Sequence, residues 1–198
     1  MQRNGLCAAE CFARGRWEVM RTESDDTAIT ETRLKLLQGM PVFGGLRADV
    51  LEYVLLSASI VCVPKGEFFF YEGDEGDCAY VLEQGRAMFW KDYEGEKYPM
   101  RVLGEGECFG EMAMIGLYPR SGSTQALADC RAIKITYELL YTMLHRDHEQ
   151  CVMILMNMAR DLSRRLRDAD NLLLLERVGK QPQWPPGPRG ERDRWMPI

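Results

Sequence analysis

The chain has 198 residues, of which 46% are hydrophobic, and its formal net charge is −5. This composition supports one domain with a real core, plus extensions. The negative charge argues against a general nucleic-acid binder, whose surface is basic, although it leaves room for a local basic patch. The longest apolar stretch, residues 50–63, is interrupted by polar side chains and is too short to span a membrane. The N-terminus lacks the apolar run of a secretory signal, so we expect a cytoplasmic protein that makes no membrane contact.

Seven cysteines are spread along the chain. Four of them lie in apolar runs typical of strands or helices: Cys62, Cys78, Cys130 and Cys151. Their odd number and wide spread predict reduced, buried thiols. Cys7 and Cys11 could share a helical face but have no second pair nearby, so we predict no metal site. Nothing resembles a catalytic triad, a metal motif or a P-loop, which predicts that the chain is not an enzyme and needs no cofactor.

The two ends of the chain differ in composition from its middle. Residues 1–29 are irregular in pattern and end in a polar run, so we predict a flexible extension, with Met20 as an alternative start. Residues 178–198 are rich in proline and mixed in charge, so we predict a disordered tail. The segment between them, residues 30–177, is the predicted folded domain.

The folded segment is predicted to begin with two helices. The first starts at Thr30 and ends at Pro41, which cannot continue a helix. The second covers residues 46–58, where apolar residues recur at helical spacing. Its predicted inward residues are Leu46, Val50, Tyr53, Val54 and Leu56.

The pattern then changes to short β-rich runs separated by glycine-containing turns. The predicted strands cover residues 60–63, 67–71, 79–82, 87–91, 100–103, 123–128 and 130–135. Many short strands at close spacing are typical of an antiparallel barrel or jelly roll. Two further helices are predicted at residues 137–145 and 148–177. The predicted fold is therefore α+β: an antiparallel β jelly-roll barrel (a double-stranded β-helix) flanked by N-terminal helices and a long C-terminal helix.

One segment between two predicted strands carries groups that suit an anionic ligand. Gly110 lets the backbone approach a ligand, and the short helix predicted after it directs its first N–H groups to the same place. Arg120 can donate two parallel hydrogen bonds to phosphate oxygens, and Ser121 adds a further donor. Glu111 makes sense beside a phosphate if the ligand also has a ribose hydroxyl to donate. A phosphate next to a ribose hydroxyl, enclosed in a β-barrel, describes a cyclic nucleotide.

This segment resembles the phosphate-binding cassette of the cyclic nucleotide-binding domain family. The cassette runs Phe-Gly-Glu-Leu-Ala-Leu, then a variable stretch, then Pro-Arg-Ser/Ala/Thr-Ala, and it is matched at residues 109–122. Met112 and Met114 replace leucine, and Gly122 replaces the final alanine.

A second signature of the same family is matched earlier in the chain. Residues 73–81 resemble the family's Gly-Asp-x-Gly/Ala-Asp turn that leads into a strand, and Gly85 follows four residues later. The resemblance covers about residues 33–176. It implies a domain like those of the catabolite activator protein and of protein kinase regulatory subunits.

The resemblance also implies roles for the cassette residues. Arg120 is expected to pair with the cyclic phosphate and Glu111 to accept from the ribose 2′-hydroxyl, while the turn with Asp74 and Asp77 is expected to be architectural. The other predicted ligand-binding residues of the cassette are Gly110, Met112, Ala113, Ser121 and Gly122. Members selective for cyclic GMP commonly carry threonine where this chain has Ser121. Cyclic AMP is therefore the predicted ligand, with cyclic GMP as the alternative.

The last predicted helix carries a heptad repeat. Apolar residues recur in steps of three and four at Val152, Leu155, Ala159, Leu162, Leu166, Ala169 and Leu173. This is the pattern of a two-stranded coiled-coil seam, and the family's transcription-factor branch dimerises through the same helix. We therefore predict a homodimer through residues 152–173. The alternative is a helix that packs only on its own barrel.

The same helix is predicted to reach the ligand. An ungapped alignment of residues 158–172 with the catabolite activator protein places Arg165 and Leu166 where that protein has the hydroxyl pair that touches adenine. In cyclic-nucleotide-gated channels an arginine of this helix lies over the purine instead. We therefore predict that Arg165 stacks on adenine. The alternative is that Arg165 is a solvated surface charge.

The leading functional hypothesis is a stand-alone cyclic AMP sensor that signals by moving its C-terminal helix against a downstream protein partner, which the sequence does not name. Only 22 residues (198 − 176) follow Glu176, too few for the winged helix-turn-helix domain of the activator branch, so no direct DNA binding is expected. One alternative is a transcriptional regulator that lost its DNA-binding domain or acts through a DNA-binding partner. Another is a degenerate domain whose pocket binds nothing.

Overall fold

The computed structural model describes residues 31–179. The predicted extension at residues 1–29 lies outside the described residues, as does the predicted tail except for Val178 and Gly179. The proposed alternative start at Met20 and the pair Cys7 and Cys11 also lie outside them. The two signatures and the heptad helix all fall within the described part of the chain.

Two N-terminal helices precede the strands. Helix α1 covers Glu31–Gln38 and helix α2 covers Ala48–Ser57, with a short 3-10 turn at Pro41–Phe43 between them. The predicted second helix is confirmed, but one of its inward residues is wrong: Leu56 is 71% exposed. The side chains of α2 that are buried instead recur at three- and four-residue spacing, as one helix face requires. They are Val50, Leu51, Val54 and Leu55.

In the described part of the chain, eight strands, one short helix and two long helices follow. The strands are β1 Ser59–Val63, β2 Phe68–Phe70, β3 Cys78–Gln84, β4 Ala87–Tyr93, β5 Glu96–Leu103, β6 Cys108–Phe109, β7 Ser123–Ala126 and β8 Cys130–Thr136. The helices are α3 Glu111–Gly116, α4 Tyr137–Arg146 and α5 His148–Arg177. Strand β6 has only two residues, which is too short for an alternating pattern to reveal it in the sequence.

The strands form two antiparallel sheets of four strands each. One sheet has the order β1-β8-β3-β6 and the other β2-β7-β4-β5. The α+β class and the antiparallel pairing are therefore confirmed. The predicted closed barrel is wrong: within residues 31–179 no hydrogen-bonded ladder joins the two sheets. The edge strands β2 and β6 have three and two residues, so they offer few backbone groups with which a ladder could close the barrel.

Two groups of buried side chains hold these layers together. The larger group lies where α1, α2, α4 and the first half of α5 pack on the sheet that contains β3 and β8. The smaller group lies between the two sheets and includes an aromatic cluster directly beneath the phosphate-binding segment. That cluster consists of Phe69, Phe70, Tyr80 and Phe109. The fold thus places a cluster of packed aromatic rings next to the candidate site.

Four of the five described cysteines are buried, and all five are free thiols. The prediction of buried thiols is confirmed for Cys78, Cys130 and Cys151. It is wrong for Cys62, whose side chain is exposed on the edge strand β1. Successive residues of a strand point to opposite faces, so Val63 is buried while its neighbour Cys62 faces outward.

Helix α5 is anchored to the N-terminal helices at its start. The Asp147 side chain caps it by accepting from the Gln150 N–H at 3.2 Å, and the Arg47 guanidinium donates to Asp147 at 2.6 Å. Further along, the Asn157 amide donates to the carbonyls of Val42 and Gly44. The helix has 30 residues and therefore spans about 45 Å. No helix within residues 31–179 is both long and apolar enough to cross a membrane.

Candidate functional site

The phosphate-binding segment lies between β6 and β7, with α3 in its middle. Gly110, which directly precedes α3, has a φ of +77°, a left-handed conformation that favours glycine. A Cβ atom at this position would lie only 2.6 Å from Nη1 of Arg120. Glycine is therefore required here both by the backbone conformation and by the close approach of the arginine.

Arg120 is a buried cation whose partners are neutral. Its side chain is 4% exposed, and Nη1 donates to the carbonyls of Cys78 at 2.7 Å and Gly110 at 2.6 Å. Nη2 contacts the Cys78 thiol at 3.2 Å, and the guanidinium carbon lies 4.3 Å from the centre of the Phe70 ring. None of the described carboxylates lies within 4.0 Å of this guanidinium. A buried charge is costly without a counter-charge, so the surroundings of Arg120 suit an anionic ligand.

The turn at residues 73–77 holds the main chain of Arg120. The Arg120 N–H donates to the Asp74 carbonyl at 2.8 Å, and the Gly73 N–H donates to the Arg120 carbonyl at 2.9 Å. The Asp74 carboxylate closes the turn by accepting from the Tyr71 N–H at 2.8 Å. Gly76 leaves room for α3, since a Cβ there would lie 2.2 Å from Cβ of Ala113. These contacts agree with an architectural role for this signature.

Glu111 is the most deeply buried carboxylate of the site. It is 2% exposed, and its Oε1 accepts from Nη1 of Arg165 at 2.6 Å. Its Oε2 is also buried and has no hydrogen-bond partner. Burial raises the pKa of Glu111 above its ordinary value, while the positive charge of Arg165 acts in the opposite direction. A hydrogen-bond donor from a ligand would satisfy the free oxygen.

Arg165 reaches the site from α5 and is held by three groups. Its guanidinium contacts the Glu111 carboxylate, the Asp161 carboxylate one helical turn earlier, and the backbone carbonyl of Cys108. Its side chain is only 21% exposed, so the alternative of a solvated surface charge is wrong. Stacking of this guanidinium on a purine stays a prediction.

A cavity of about 400 Å³ joins these groups. Seven of the eight predicted site residues line it: Gly110, Glu111, Met112, Ala113, Arg120, Ser121 and Arg165. The eighth, Gly122, packs against β4 instead, where a Cβ atom would lie 2.4 Å from the Phe89 ring and 2.5 Å from the Trp90 carbonyl. The cavity therefore has a polar end around Arg120 and Glu111, and its remaining wall is mainly apolar.

Sequence reasoning missed the other eight residues that line the cavity, among them Met100 and Arg101 of β5 and Leu172 of α5. Two signals could have found Arg101 and Leu172. Arg101 is two residues before the buried Leu103, which places both on one face of a strand, and Leu172 is seven residues after Arg165, which places both on one face of a helix. Burial lowers the pKa of Arg101, and the neighbouring charge of Arg165 adds to this effect.

The Ser121 main chain is fixed from β4. The Lys91 ammonium donates to the Ser121 carbonyl at 2.5 Å and forms an ion pair with Glu72. The Glu72 N–H in turn donates to the Ser123 hydroxyl at 3.0 Å. The end of the cassette is therefore held by side chains on both sides, which keeps Arg120 and Ser121 facing the cavity.

Comparison with known proteins assigns this arrangement to a family. Residues 60–147 match the family model described as the cyclic nucleotide-binding domain. This segment of the chain is a cyclic nucleotide-binding domain. The matched range includes the 73–77 turn and the whole cassette, while all of α5 lies beyond it.

Two curated relatives of this domain family illustrate the match. The cyclic AMP receptor protein of Thermus thermophilus is 30% identical over 135 residues, which cover 68% of this chain and 61% of the relative. A cAMP-dependent protein kinase regulatory subunit of Emericella nidulans is 29% identical over 112 residues, which cover 56% of this chain and 27% of the relative. The chain thus spans less than two thirds of the length of either relative.

Solved structures show the same cyclic nucleotide-binding fold. The Thermus thermophilus catabolite activator protein has a TM-score of 0.61 at 30% identity, with 68% of this chain and 62% of that chain covered. A cyclic nucleotide-binding domain from Methylobacillus flagellatus has a TM-score of 0.66, with 74% and 83% covered. The second likeness, at 23% identity, shows the fold alone.

Proposed function

We propose that this chain is a cyclic nucleotide sensor that binds cyclic AMP in the 400 Å³ cavity. The observation that carries the proposal is Arg120, a buried guanidinium with neutral partners beside an open cavity. A cyclic phosphate would supply the missing negative charge through charge-assisted hydrogen bonds. The ribose 2′-hydroxyl would then reach the free oxygen of Glu111. The purine would occupy the apolar wall, which includes Met100 and Leu172.

The choice of cyclic AMP is supported by two further points. The Thermus thermophilus relative is a cyclic AMP receptor protein, and the Emericella nidulans relative belongs to a cAMP-dependent kinase. Ser121 lines the cavity directly after Arg120, where threonine would favour cyclic GMP. Since the names of both relatives describe a receptor and a regulatory subunit, we propose a regulatory role and no catalytic one. The lack of catalytic activity stays a prediction. The lack of a cofactor and the lack of direct DNA binding are predictions too.

We propose that α5 carries the signal. Arg165, Ala169 and Leu172 of α5 line the cavity, so a ligand would contact the helix directly. A ligand can shift a helix only by binding one position better than another, and these contacts supply such a difference. The downstream partner would then recognise the new position of α5.

We also propose that α5 forms the seam of a homodimer. Most large residues of the heptad face are exposed within this one chain: Val152, Leu155, Leu166 and Leu173. The adjoining face, with Cys151, Ile154 and Met158, packs on the domain itself. The exposed leucines and valine of the seam are not used in that packing and remain available to a second copy.

The proposal is tested by titrating cyclic AMP into the wild-type chain and into Arg120→Ala, with calorimetry as the readout. Loss of the charge partner should cost about 2–5 kcal/mol, which weakens binding by tens- to thousands-fold. Arg120→Lys keeps the charge but lacks the planar fork, so it should bind with an intermediate affinity. Arg167→Ala, an exposed arginine on α5, is the matched control and should bind normally. Wild-type protein that binds no cyclic AMP, or Arg120→Ala with normal affinity, would refute the proposal.

A further inference from the structure

The two carboxylate oxygens of Glu111 have different surroundings. Oε1 is 2.6 Å from Nη1 of Arg165, whereas Oε2 is buried and has no partner. Leaving a buried polar atom without a hydrogen bond costs free energy, so an arrangement that keeps Oε2 free must be held by something else. An arginine commonly binds both oxygens of a carboxylate, but Arg165 binds only one oxygen of Glu111.

The other end of the Arg165 guanidinium is held by a residue of the same helix. Asp161 is four residues before Arg165, and its carboxylate contacts Nη2 of that arginine, which also donates to the Cys108 carbonyl. Nη2 therefore already has two acceptors, and Arg165 donates to the Glu111 carboxylate through Nη1. Asp161 is itself oriented by Arg164, which donates to its other oxygen at 2.8 Å.

We infer that Asp161 is a positioning residue for nucleotide binding: by holding Nη2 of Arg165 it keeps Oε2 of Glu111 free for the ribose 2′-hydroxyl. The bound nucleotide then completes a chain of contacts from the ribose through Glu111 and Arg165 to α5. Without Asp161, the guanidinium turns to bind both oxygens of Glu111 and competes with the ribose. This inference rests on the proposed function, because it concerns the same cavity.

The inference predicts that Asp161 acts only on ligands that have the 2′-hydroxyl. In the wild-type chain, cyclic AMP binds more tightly than 2′-deoxy cyclic AMP, because only the former satisfies Oε2. In Asp161→Asn, whose side chain has nearly the same shape without the charge, cyclic AMP binds about three- to thirtyfold more weakly, the usual range of coupling between neighbouring side chains. The affinity for the 2′-deoxy ligand stays within about twofold.

The experiment is calorimetry of both ligands with the wild-type chain, Asp161→Asn and the matched control Asp168→Asn. Asp168 is also half-buried on α5, two turns further along. The control should keep the wild-type ratio of the two affinities, whereas Asp161→Asn should bring that ratio close to one. Asp161→Glu, which restores the carboxylate, should recover part of the ratio. Thermal unfolding of each variant checks that it is folded.

Three results overturn the inference. In the first, Asp161→Asn binds both ligands as the wild type does. In the second, Asp161→Asn weakens both ligands equally and so keeps their ratio, which is the result of a merely structural role. In the third, Asp168→Asn loses the ratio as well. A wild-type chain that binds neither ligand is a different outcome, because it refutes the proposed function and removes the basis of the inference with it.

Discussion

At the scale of single residues, the site joins two buried charges that the fold does not pair with each other. Arg120 has carbonyl partners, and Glu111 is paired with Arg165 through only one of its oxygens. Both side chains are less than 5% exposed and line the same cavity. Unsatisfied buried groups lower the stability of the empty domain, and they are the groups that a ligand would complete.

The buried carboxylate of Glu111 predicts that the stability of the folded domain depends on pH. Burial raises the pKa of Glu111 above its ordinary value of 4.5, so the folded chain binds this proton more tightly than the unfolded chain. Its contribution to stability is therefore greatest below the unfolded pKa and is lost as the pH rises through the folded pKa. Glu111→Gln removes this loss, so its melting temperature relative to wild type should increase between about pH 4 and about pH 7.

Thermal unfolding of the ligand-free proteins measures this difference. Glu96→Gln, at an exposed position of the edge strand β5, is the control and should show no such trend. A Glu111→Gln protein that is equally destabilised at both pH values would show that the ion pair with Arg165 cancels the effect of burial on the pKa of the carboxylate.

The sequence predicted these residues well where chemistry and local spacing determine them. The cassette places Gly110, Glu111 and Arg120 within eleven positions, and all three line the cavity, whereas their roles toward a phosphate and a ribose stay predictions. The contact between Glu111 and Arg165 could not be predicted, because it joins residues 54 positions apart and depends on where α5 crosses the sheets. Gly122 was assigned to the ligand, but its lack of a side chain serves packing against β4.

At the scale of elements, the two halves of α5 differ in how they contact the rest of the domain. Its first half packs on the domain through Cys151, Ile154 and Met158 and is tied to the chain at Arg47. Its second half has no fully buried residue and contributes the cavity residue Leu172. Regions with few buried contacts open at low free energy, so in the proposed signalling the second half is the part that a ligand would move.

The exposed heptad face predicts how the chain assembles. Leu166→Glu places a negative charge at the centre of the seam, where it would face its own copy across a two-fold axis. The wild-type chain should sediment as a dimer and Leu166→Glu as a monomer. Arg167→Glu, the neighbouring exposed position off the seam, should remain dimeric. A monomeric wild-type chain, or a Leu166→Glu dimer, would show that α5 packs only on its own domain.

The bounds of α5 were predicted to the residue, whereas the strands were predicted less well. The helix starts at the Asp147 cap and repeats its apolar residues over 30 positions, so both the start and the period are visible in the sequence. Strands β4 and β5 extend further than predicted, since their pairing continues to the turn at residues 94–95 despite polar side chains. Pro99 is accommodated because β5 is an edge strand.

At the scale of the whole molecule, the site lies where the separate layers meet. Among the residues that line the cavity, Phe109 comes from β6, Met100 from β5 and Arg165 from α5, so one ligand would touch both sheets and the last helix. The sequence predicted the α+β class from the change of period along the chain. It did not predict that the sheets remain separate, because barrel closure depends on how many ladder bonds the short edge strands can make.

Because the ligand would bridge these layers, binding should raise the stability of the whole domain. A ligand present at about a hundredfold over its Kd stabilises a protein by about 2.7 kcal/mol, which corresponds to roughly 5–10 °C in the melting temperature of a domain of this size. Cyclic AMP should produce this shift. Cyclic GMP at the same concentration should produce a smaller one, since Ser121 lacks the threonine methyl that would hold its hydroxyl toward the guanine amino group.

Arg120→Ala should show no shift with either nucleotide, which ties the effect to the cavity. A shift with cyclic GMP that equals or exceeds that with cyclic AMP would reverse the assignment of the base while leaving the phosphate site in place, because Arg120 recognises a group that both nucleotides share.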